Sequence, residues 1–165
     1  MKHLVISFVA QDKPGLVDTL SNIVSTHKGN WQSSSMHQMS GFFAGIIEVA
    51  IDDQQLDALT TELNALSEID CIIKVAQDEV RSQSANLVLE LTANDRAGIV
   101  QEISSTIHQQ GGNLLKLVST QEAAAHSGHE LFKAKATIIA NDQQADALID
   151  ALENLADDLM VDISR

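Results

Sequence analysis

The sequence predicts an α+β chain built from two copies of one small module, each with the element order β-α-β-β-α-β. Two observations carry this prediction. The chain repeats itself, because a shift of 83 residues lays Leu4–Asp12 over Leu87–Asp95. Within each copy, short runs of β-branched and apolar residues alternate with runs whose apolar residues recur at helical spacing. This order is the ferredoxin-like one, with an antiparallel four-stranded sheet and two helices on one face.

The repeat continues beyond these first strands. The same shift aligns residues 13–17 with 96–100, and Gly29-Asn30 with Gly112-Asn113. Further along the chain the shift grows to 89, which indicates a six-residue insertion in the second copy, within Gln121–Glu130. Copies of this length fit two small domains better than a solenoid. We expect the domains at residues 1–80 and 85–165, joined by the polar linker 77–84.

The first strand and helix of each copy are the clearest elements. The run from Leu4 to Val9 is apolar on both faces, as expected of a central strand covered by helices. Gly15 opens the first helix, and Gly29 ends it, as glycine often does. The apolar stripe of this helix consists of Leu16, Leu20, Ile23 and Val24. The matching helix carries Ile99, Ile103 and Ile107 and ends at Gly111-Gly112.

The remaining elements complete the order. In the first copy a strand begins at Trp31, another spans 43–51, and the last spans 70–75. Asp52 or Asp53 can cap the second helix. The apolar stripe of that helix consists of Leu56, Leu59, Leu63 and Leu66. The strands of the second copy fall near residues 86–92, 113–121, 131–139 and 159–164.

The second strand of the first copy is unusually polar and lies at the sheet edge in this topology. Its polar residues are Gln32, Ser33, Ser34, Ser35, His37 and Gln38. Such a surface discourages edge-to-edge aggregation. It can equally pair with a second module or contact a ligand. The sequence leaves both interpretations open.

The chain is strongly acidic, with 23 Asp and Glu against 10 Lys and Arg among 165 residues and a net charge of −13. Because nucleic-acid affinity comes from Lys and Arg that neutralise phosphates, we expect neither direct nucleic-acid binding nor docking on an anionic membrane. The apolar N-terminal run recurs in mid-chain, so it predicts a strand rather than a signal peptide. With no other targeting segment, we expect a cytoplasmic protein.

The loop Asp12-Lys13-Pro14-Gly15-Leu16-Val17, followed by Gly29-Asn30, resembles the ACT domain, a regulatory module that binds amino acids. The matching loop 94–100, followed by Gly112-Asn113, resembles it as well, and together the copies cover essentially the whole chain. Among proteins made only of two such modules, the chain most resembles the family of glycine cleavage system transcriptional repressors. The second copy has Ala97 where the first has Pro14, so the two copies need not bind a ligand equally.

The loop also suits an amino acid on physical grounds. A glycine turn that starts a helix leaves free backbone N–H groups at the positive end of the helix dipole, where a ligand carboxylate fits. A nearby aspartate can accept hydrogen bonds from the ligand's ammonium group, and an asparagine amide can donate and accept. The alternative is that Asp12 and Asp95 only cap their helices. The resemblance implies that the effector lies between this loop and the second strand of a neighbouring module. The candidate ligand-binding residues are Asp12, Pro14, Gly15, Leu16 and Asn30, with Asp95, Ala97, Gly98, Ile99 and Asn113 in the second copy.

The resemblance implies a non-enzymatic transcriptional regulator. It would sense a small amino acid, with glycine as the expected ligand, bind a DNA-binding activator protein and so repress glycine cleavage genes. A homodimer is compatible with this reading, and no cofactor is expected. An alternative is an amino-acid-sensing regulatory subunit of a separate metabolic enzyme. A small enzyme in its own right would need a converging acid–base or nucleophile constellation, and the sequence shows none.

Three remaining patterns predict no functional site. His126, His129 and Glu130 lie in the insertion, without a cysteine to join them or a helix to fix their geometry, so we predict no metal there. Cys71 is the only cysteine, and its apolar neighbours predict a buried, inert thiol. We expect Asp157-Asp158 to be surface charge at a helix end.

Overall fold

The computed structural model describes residues 1–76 and 84–164, and the chain divides into two compact units, Met1–Arg81 and Ser82–Arg165. Apart from Ser84, the predicted linker 77–84 lies outside the described residues. Each unit has the order β-α-β-β-α-β. The first module consists of β1 Lys2–Gln11, α1 Leu16–Thr26, β2 Asn30–Met39, β3 Phe42–Ile51, α2 Asp53–Asn64 and β4 Ile69–Val75. The second module consists of β5 Leu87–Asn94, α3 Ile99–Gln109, β6 Asn113–Ala123, β7 Glu130–Ile139, α4 Asp142–Glu153 and β8 Met160–Ser164.

Each module contains one antiparallel four-stranded sheet. The strand orders are β2-β3-β1-β4 and β6-β7-β5-β8, so the first strand of each module is central and the polar second strand lies at an edge. Both helices of a module pack on one face of its sheet, where their apolar stripes meet the buried side chains of the strands. The predicted fold class is confirmed.

The central strand β1 is apolar on both faces, but the helices of its module cover only one of them. Leu4, Ile6 and Phe8 are buried under the helices, whereas Val5 and Val9 point to the face opposite the two helices of the module. The interpretation of apolar residues on both faces as cover by helices is therefore wrong for the second face, in agreement with the predicted fold class, which has both helices on one side of the sheet. We call this uncovered side of the first sheet the open face.

Trp31 is the only tryptophan of the chain. It lies on β2, is half-buried, and packs against the hydrophobic core of the first module. A register shift between Trp31 and Ser33 marks a bulge in the pairing of β2 with β3.

The second helix of each module is capped by a side chain. Asp52 caps α2 by accepting a hydrogen bond from the backbone N–H of Gln54 at 3.3 Å, which settles the choice between Asp52 and Asp53. Asn141 and Gln144 cap α4 reciprocally. The side chain of Asn141 accepts a hydrogen bond from the backbone N–H of Gln144 at 2.8 Å, and the side chain of Gln144 accepts one from the backbone N–H of Asn141 at 2.9 Å. The second cap satisfies two otherwise unpaired donors, whereas the first satisfies one.

The turn after α1 differs from the prediction that Gly29 stops the helix. The left-handed residue is Lys28, with φ of 58°, and the backbone N–H of Gly29 returns to the carbonyl of Val24 at 2.9 Å. A Cβ at Gly29 would lie 3.0 Å from Cγ1 of both Val24 and Val49, so glycine is required there by close packing. In the second module the left-handed position is Gly111, with φ of 77°.

The six-residue insertion lies in the hairpin between the second and third strands of the second module. In the first module Ser40 and Gly41, both with positive φ, make a two-residue turn between β2 and β3. In the second module residues 124–129 connect β6 to β7, and the backbone N–H of Ala124 bonds the carbonyl of His129.

Candidate functional site

The loop between β1 and α1 starts the helix with a glycine. Gly15 is the N-cap residue and is left-handed, with φ of 89°, and no side chain caps this helix. The interpretation that Asp12 is merely a helix cap is therefore wrong for the first module. An added Cβ at Gly15 would meet no atom within 4 Å, so the requirement for glycine comes from the backbone conformation alone.

The first turn of α1 presents backbone donors. The first intrahelical bond runs from the N–H of Thr19 to the carbonyl of Gly15 at 2.9 Å. The N–H groups of Leu16, Val17 and Asp18 precede that bond and therefore have no partner within the helix. They point toward the loop at the positive end of the helix dipole, which favours an anionic group.

A surface pocket of about 370 Å³ opens beside these donors. Its lining consists of Asp12, Lys13, Gly15, Leu16, Val17, Asp18 and Phe43. The backbone N–H of Asp12 donates to the carbonyl of Gly41 at 2.9 Å and so fixes the strand end against the β2–β3 turn. Within residues 1–76 and 84–164, the Asp12 carboxylate has no hydrogen-bond or ion-pair partner. The pocket thus combines backbone donors with an uncommitted carboxylate.

The loop is tied to the opposite edge of the sheet by an ion pair. Lys13 contacts Glu68, which precedes β4. Pro14 lies within the same loop, but it does not line the pocket. Asn30 begins β2 opposite Ala50 and also lies outside the pocket lining. Of the five candidates in the first module, the structure therefore brings together Asp12, Gly15 and Leu16.

The corresponding loop of the second module keeps the backbone shape but not all of the free groups. Gly98 is left-handed, with φ of 86°, and again caps its helix without a side chain, so Asp95 is not a helix cap either. The Asp95 carboxylate accepts a hydrogen bond from Nε2 of Gln121 at 2.6 Å. The N–H of Ile99 bonds the carbonyl of Arg96 at 3.4 Å. The carboxylate and one of the three backbone donors are therefore engaged here, whereas the N–H groups of the next two residues have no partner within the helix.

The other candidates of the second module lie around this loop. Ala97 precedes Gly98, and Asn113 begins β6 opposite Ile139. Arg96 forms an ion pair with Glu102 on the exposed surface, and the hydrogen bond from Arg96 lowers the pKa of that carboxyl. Arg96 is thereby directed toward α3.

An acidic residue before the last strand holds the loop in both modules, a role that sequence reasoning missed. In the first module this residue is Glu68, which pairs with Lys13. In the second it is Asp158, whose carboxylate accepts from the backbone N–H of Asn94 at 2.8 Å. The interpretation of Asp158 as surface charge alone is wrong. Alignment of the two copies does not show the pair, because the shift of 89 places Glu68 over Asp157; the two residues correspond in the structure, where each directly precedes the last buried apolar residue of its module.

Other candidate chemistry is scarce in the described parts of the chain. Burial and then the charge of Asp70 raise the pKa of the half-buried Cys71 thiol, which holds it in the unreactive protonated form. Within residues 1–76 and 84–164, no three His, Cys, Asp or Glu side chains are grouped so that they could hold a metal ion. None of the helices described is long and apolar enough to span a membrane.

Comparison with known proteins fits this geometry. Residues 2–75 match the family model of the ACT domain. This match spans the first module from β1 to β4. The second module has the same strand order and the same glycine-capped helix, so the chain carries two ACT-like modules in tandem. No curated protein is significantly similar to the chain in sequence.

Two solved structures share the tandem arrangement over almost their whole length. One is a protein of unknown function from Galdieria sulphuraria, with a TM-score of 0.81, 21% identity, and coverage of 99% of this chain and 97% of that one. The other is a candidate glycine cleavage system transcriptional repressor, with a TM-score of 0.74, 16% identity, and coverage of 99% and 98%. At these identities the likeness shows a shared fold.

Proposed function

We propose that this chain is a non-enzymatic regulator with ACT domains at residues 1–80 and 85–165, which senses a small amino acid and transmits that state to a DNA-binding regulator protein. The observation that carries the proposal is the pocket of the first module. There, unpaired backbone donors of α1 lie beside the uncommitted carboxylate of Asp12. An α-amino acid carries one carboxylate and one ammonium group, so its two charges match these two features.

Glycine is the proposed ligand, and repression of glycine cleavage genes is the proposed output. The support is the candidate glycine cleavage repressor that shares the tandem fold from end to end. The net charge of −13 fits a chain that acts on DNA through a basic partner rather than by direct contact. Binding can change that partnership only if the ligand favours one state, so the partner must in turn change the ligand affinity by the same factor.

The ligand half is tested by isothermal titration of the full chain with the twenty standard amino acids. We expect binding of glycine or another small amino acid. Asp12→Asn should weaken it about 10- to 100-fold, because a hydrogen bond to a charged group contributes about 1.5–3 kcal/mol. The matched control is Asp95→Asn, at the equivalent position whose carboxylate is already bound by Gln121. No binding at millimolar concentration across the panel would exclude the sensing role.

A second pair of variants identifies the module that binds. Gly15 and Gly98 occupy the same N-cap position with nearly the same φ, and neither has an atom within 4 Å of an added Cβ. Alanine at either site imposes the same backbone strain of about 1–2 kcal/mol. We expect only Gly15→Ala to weaken ligand binding. Equal losses would instead show that both loops bind.

The partner half is tested by capture of proteins from a native extract on the immobilised chain, with and without the amino acid identified by titration. The expected result is a DNA-binding regulator whose retention changes with the ligand. Recovery of a metabolic enzyme with ligand-dependent retention would favour the alternative role of regulatory subunit. Retention that does not respond to the ligand would contradict the proposed coupling.

A further inference from the structure

The open face of the first sheet is apolar and exposed. Val9, Ile46 and Ile72 are 46%, 50% and 64% exposed, and all three point away from the helices. Ser7 lies at their centre, and Val5, which is half-buried, lies on the other side of Ser7 along β1. These residues come from the three adjacent strands β3, β1 and β4, so they form one continuous surface.

The fold itself does not require this apolar surface. On the second sheet the residues at the positions of Ser7, Ile46 and Ile72 are Glu90, Lys135 and Asp162. The second module thus carries charges at the centre of the same surface, and its exposed apolar residues Val118 and Met160 lie at the edges. Two large exposed aliphatic side chains in the first module mark an interaction surface rather than a structural need.

The cross-strand rows of the open face alternate in side-chain size. Across the order β2-β3-β1-β4, one row reads Ser35, Ile46, Ser7, Ile72. A second copy turned face to face about a two-fold axis parallel to the strands presents this row in reverse. Ile72 of one copy then lies over Ser35 of the other, and Ile46 lies over Ser7. Every large side chain meets a small one, which allows two sheets to pack at the usual separation of about 10 Å.

The same operation also reverses the two flanking rows. One reads His37, Ala44, Val9, Asp70, so its reversal places Asp70 over His37 and Val9 over Ala44. The other reads Ser33, Glu48, Val5, Lys74, so its reversal places Lys74 over Ser33 and Val5 over Glu48. Lys74 of one copy thus lies near Glu48 of the other, and a two-fold axis forms this contact twice.

We infer that the open face of the first module is a homodimer interface, on which a second copy of the chain packs with its own open face. A standard interface buries roughly 800 Å² on each partner, whereas the apolar part of this face comes from only four side chains, so the association is expected at micromolar concentrations. The high negative charge of the chain opposes self-association, and this face is less acidic because it carries Lys74 as well as the carboxylates of Glu48 and Asp70.

Sedimentation velocity of the full chain over a micromolar concentration series tests the inference. The wild type should shift from monomer to dimer, and Ile72→Asp should stay monomeric at all these concentrations. The matched control is Val118→Asp, which places the same charge at an exposed apolar position of the second sheet and should still dimerise. A wild type that remains monomeric, or an Ile72→Asp variant that dimerises like the wild type, would overturn the inference.

A charge exchange separates this arrangement from other dimers. Ser33→Lys should weaken the dimer, because the new lysine would lie over Lys74 of the other copy. Adding Lys74→Glu should restore it, because the reversed row then pairs opposite charges. Both sites are on the surface, so unchanged circular dichroism and thermal midpoints should accompany the loss. Failure of the double variant to recover would refute the two-fold register, and none of these outcomes depends on ligand binding.

Discussion

The turn after α1 makes a strong prediction, because two adjacent residues should respond in opposite directions. Lys28 holds a left-handed conformation, with φ of 58°. For a residue with a Cβ this conformation costs about 1–2 kcal/mol, while glycine loses about 0.5–1 kcal/mol more backbone entropy on folding. Lys28→Gly should therefore stabilise the first module by about 0.5–1 kcal/mol.

Gly29→Ala should destabilise the same module. Gly29 does not have a positive φ, so the cost is steric: the new Cβ would lie 3.0 Å from two valine methyl groups and 3.1 Å from the Val24 carbonyl oxygen. Overpacking of this kind costs about 1–3 kcal/mol. In a domain of this size, each kcal/mol moves the thermal midpoint by about 4–8 °C.

Thermal and urea unfolding followed by circular dichroism measures both effects. Lys28→Ala is the essential control, since it removes the same side chain and charge but keeps the strained backbone with a Cβ. If Lys28→Ala and Lys28→Gly were equally stable, the left-handed strain would not be the cause. If Gly29→Ala had wild-type stability, the close approach to Val24 and Val49 would be refuted.

Two further predictions concern the helix caps and the thiol. Asp52→Ala should lower the free energy of unfolding by about 0.5–1 kcal/mol. Asn141→Ala should lower it by more, because this change also breaks a reciprocal cap. Urea titrations of the two variants measure the difference, and equal losses would contradict the prediction. The folded state raises the pKa of Cys71, so the stability this group provides is present below about pH 8.5 and is lost as the pH rises through the folded-state value. The urea midpoint should then fall more in the wild type than in Cys71→Ala at alkaline pH.

The fold could be predicted from the sequence because its signals are local and occur twice. The spacing of Leu16, Leu20 and Ile23 encodes one buried helix face, and the structure buries all three. The recurring glycine before each first helix likewise indicated the N-cap turn that Gly15 and Gly98 both make. Evidence of this kind depends only on neighbouring residues and their repetition along the chain.

The features that the sequence did not reveal depend on contacts between distant residues. Nothing in its composition marks Lys28 as left-handed, since the adjacent Gly29 carries the usual signal for a helix end. The tie between Asp158 and the N–H of Asn94 joins residues 64 apart in the chain. Which residues of β1 face the helices could not be recognised either, because a valine that faces a helix and one that faces away look alike in sequence.

The position of Trp31 gives the two modules separate optical signals. The chain contains no tyrosine, and this single indole packs against the first core. Its fluorescence should therefore follow the unfolding of the first module, whereas circular dichroism follows both. Unequal midpoints from the two methods would show that the two modules unfold separately, through a state in which only one of them is folded. An added amino acid that shifts the fluorescence transition would then have bound to the first module.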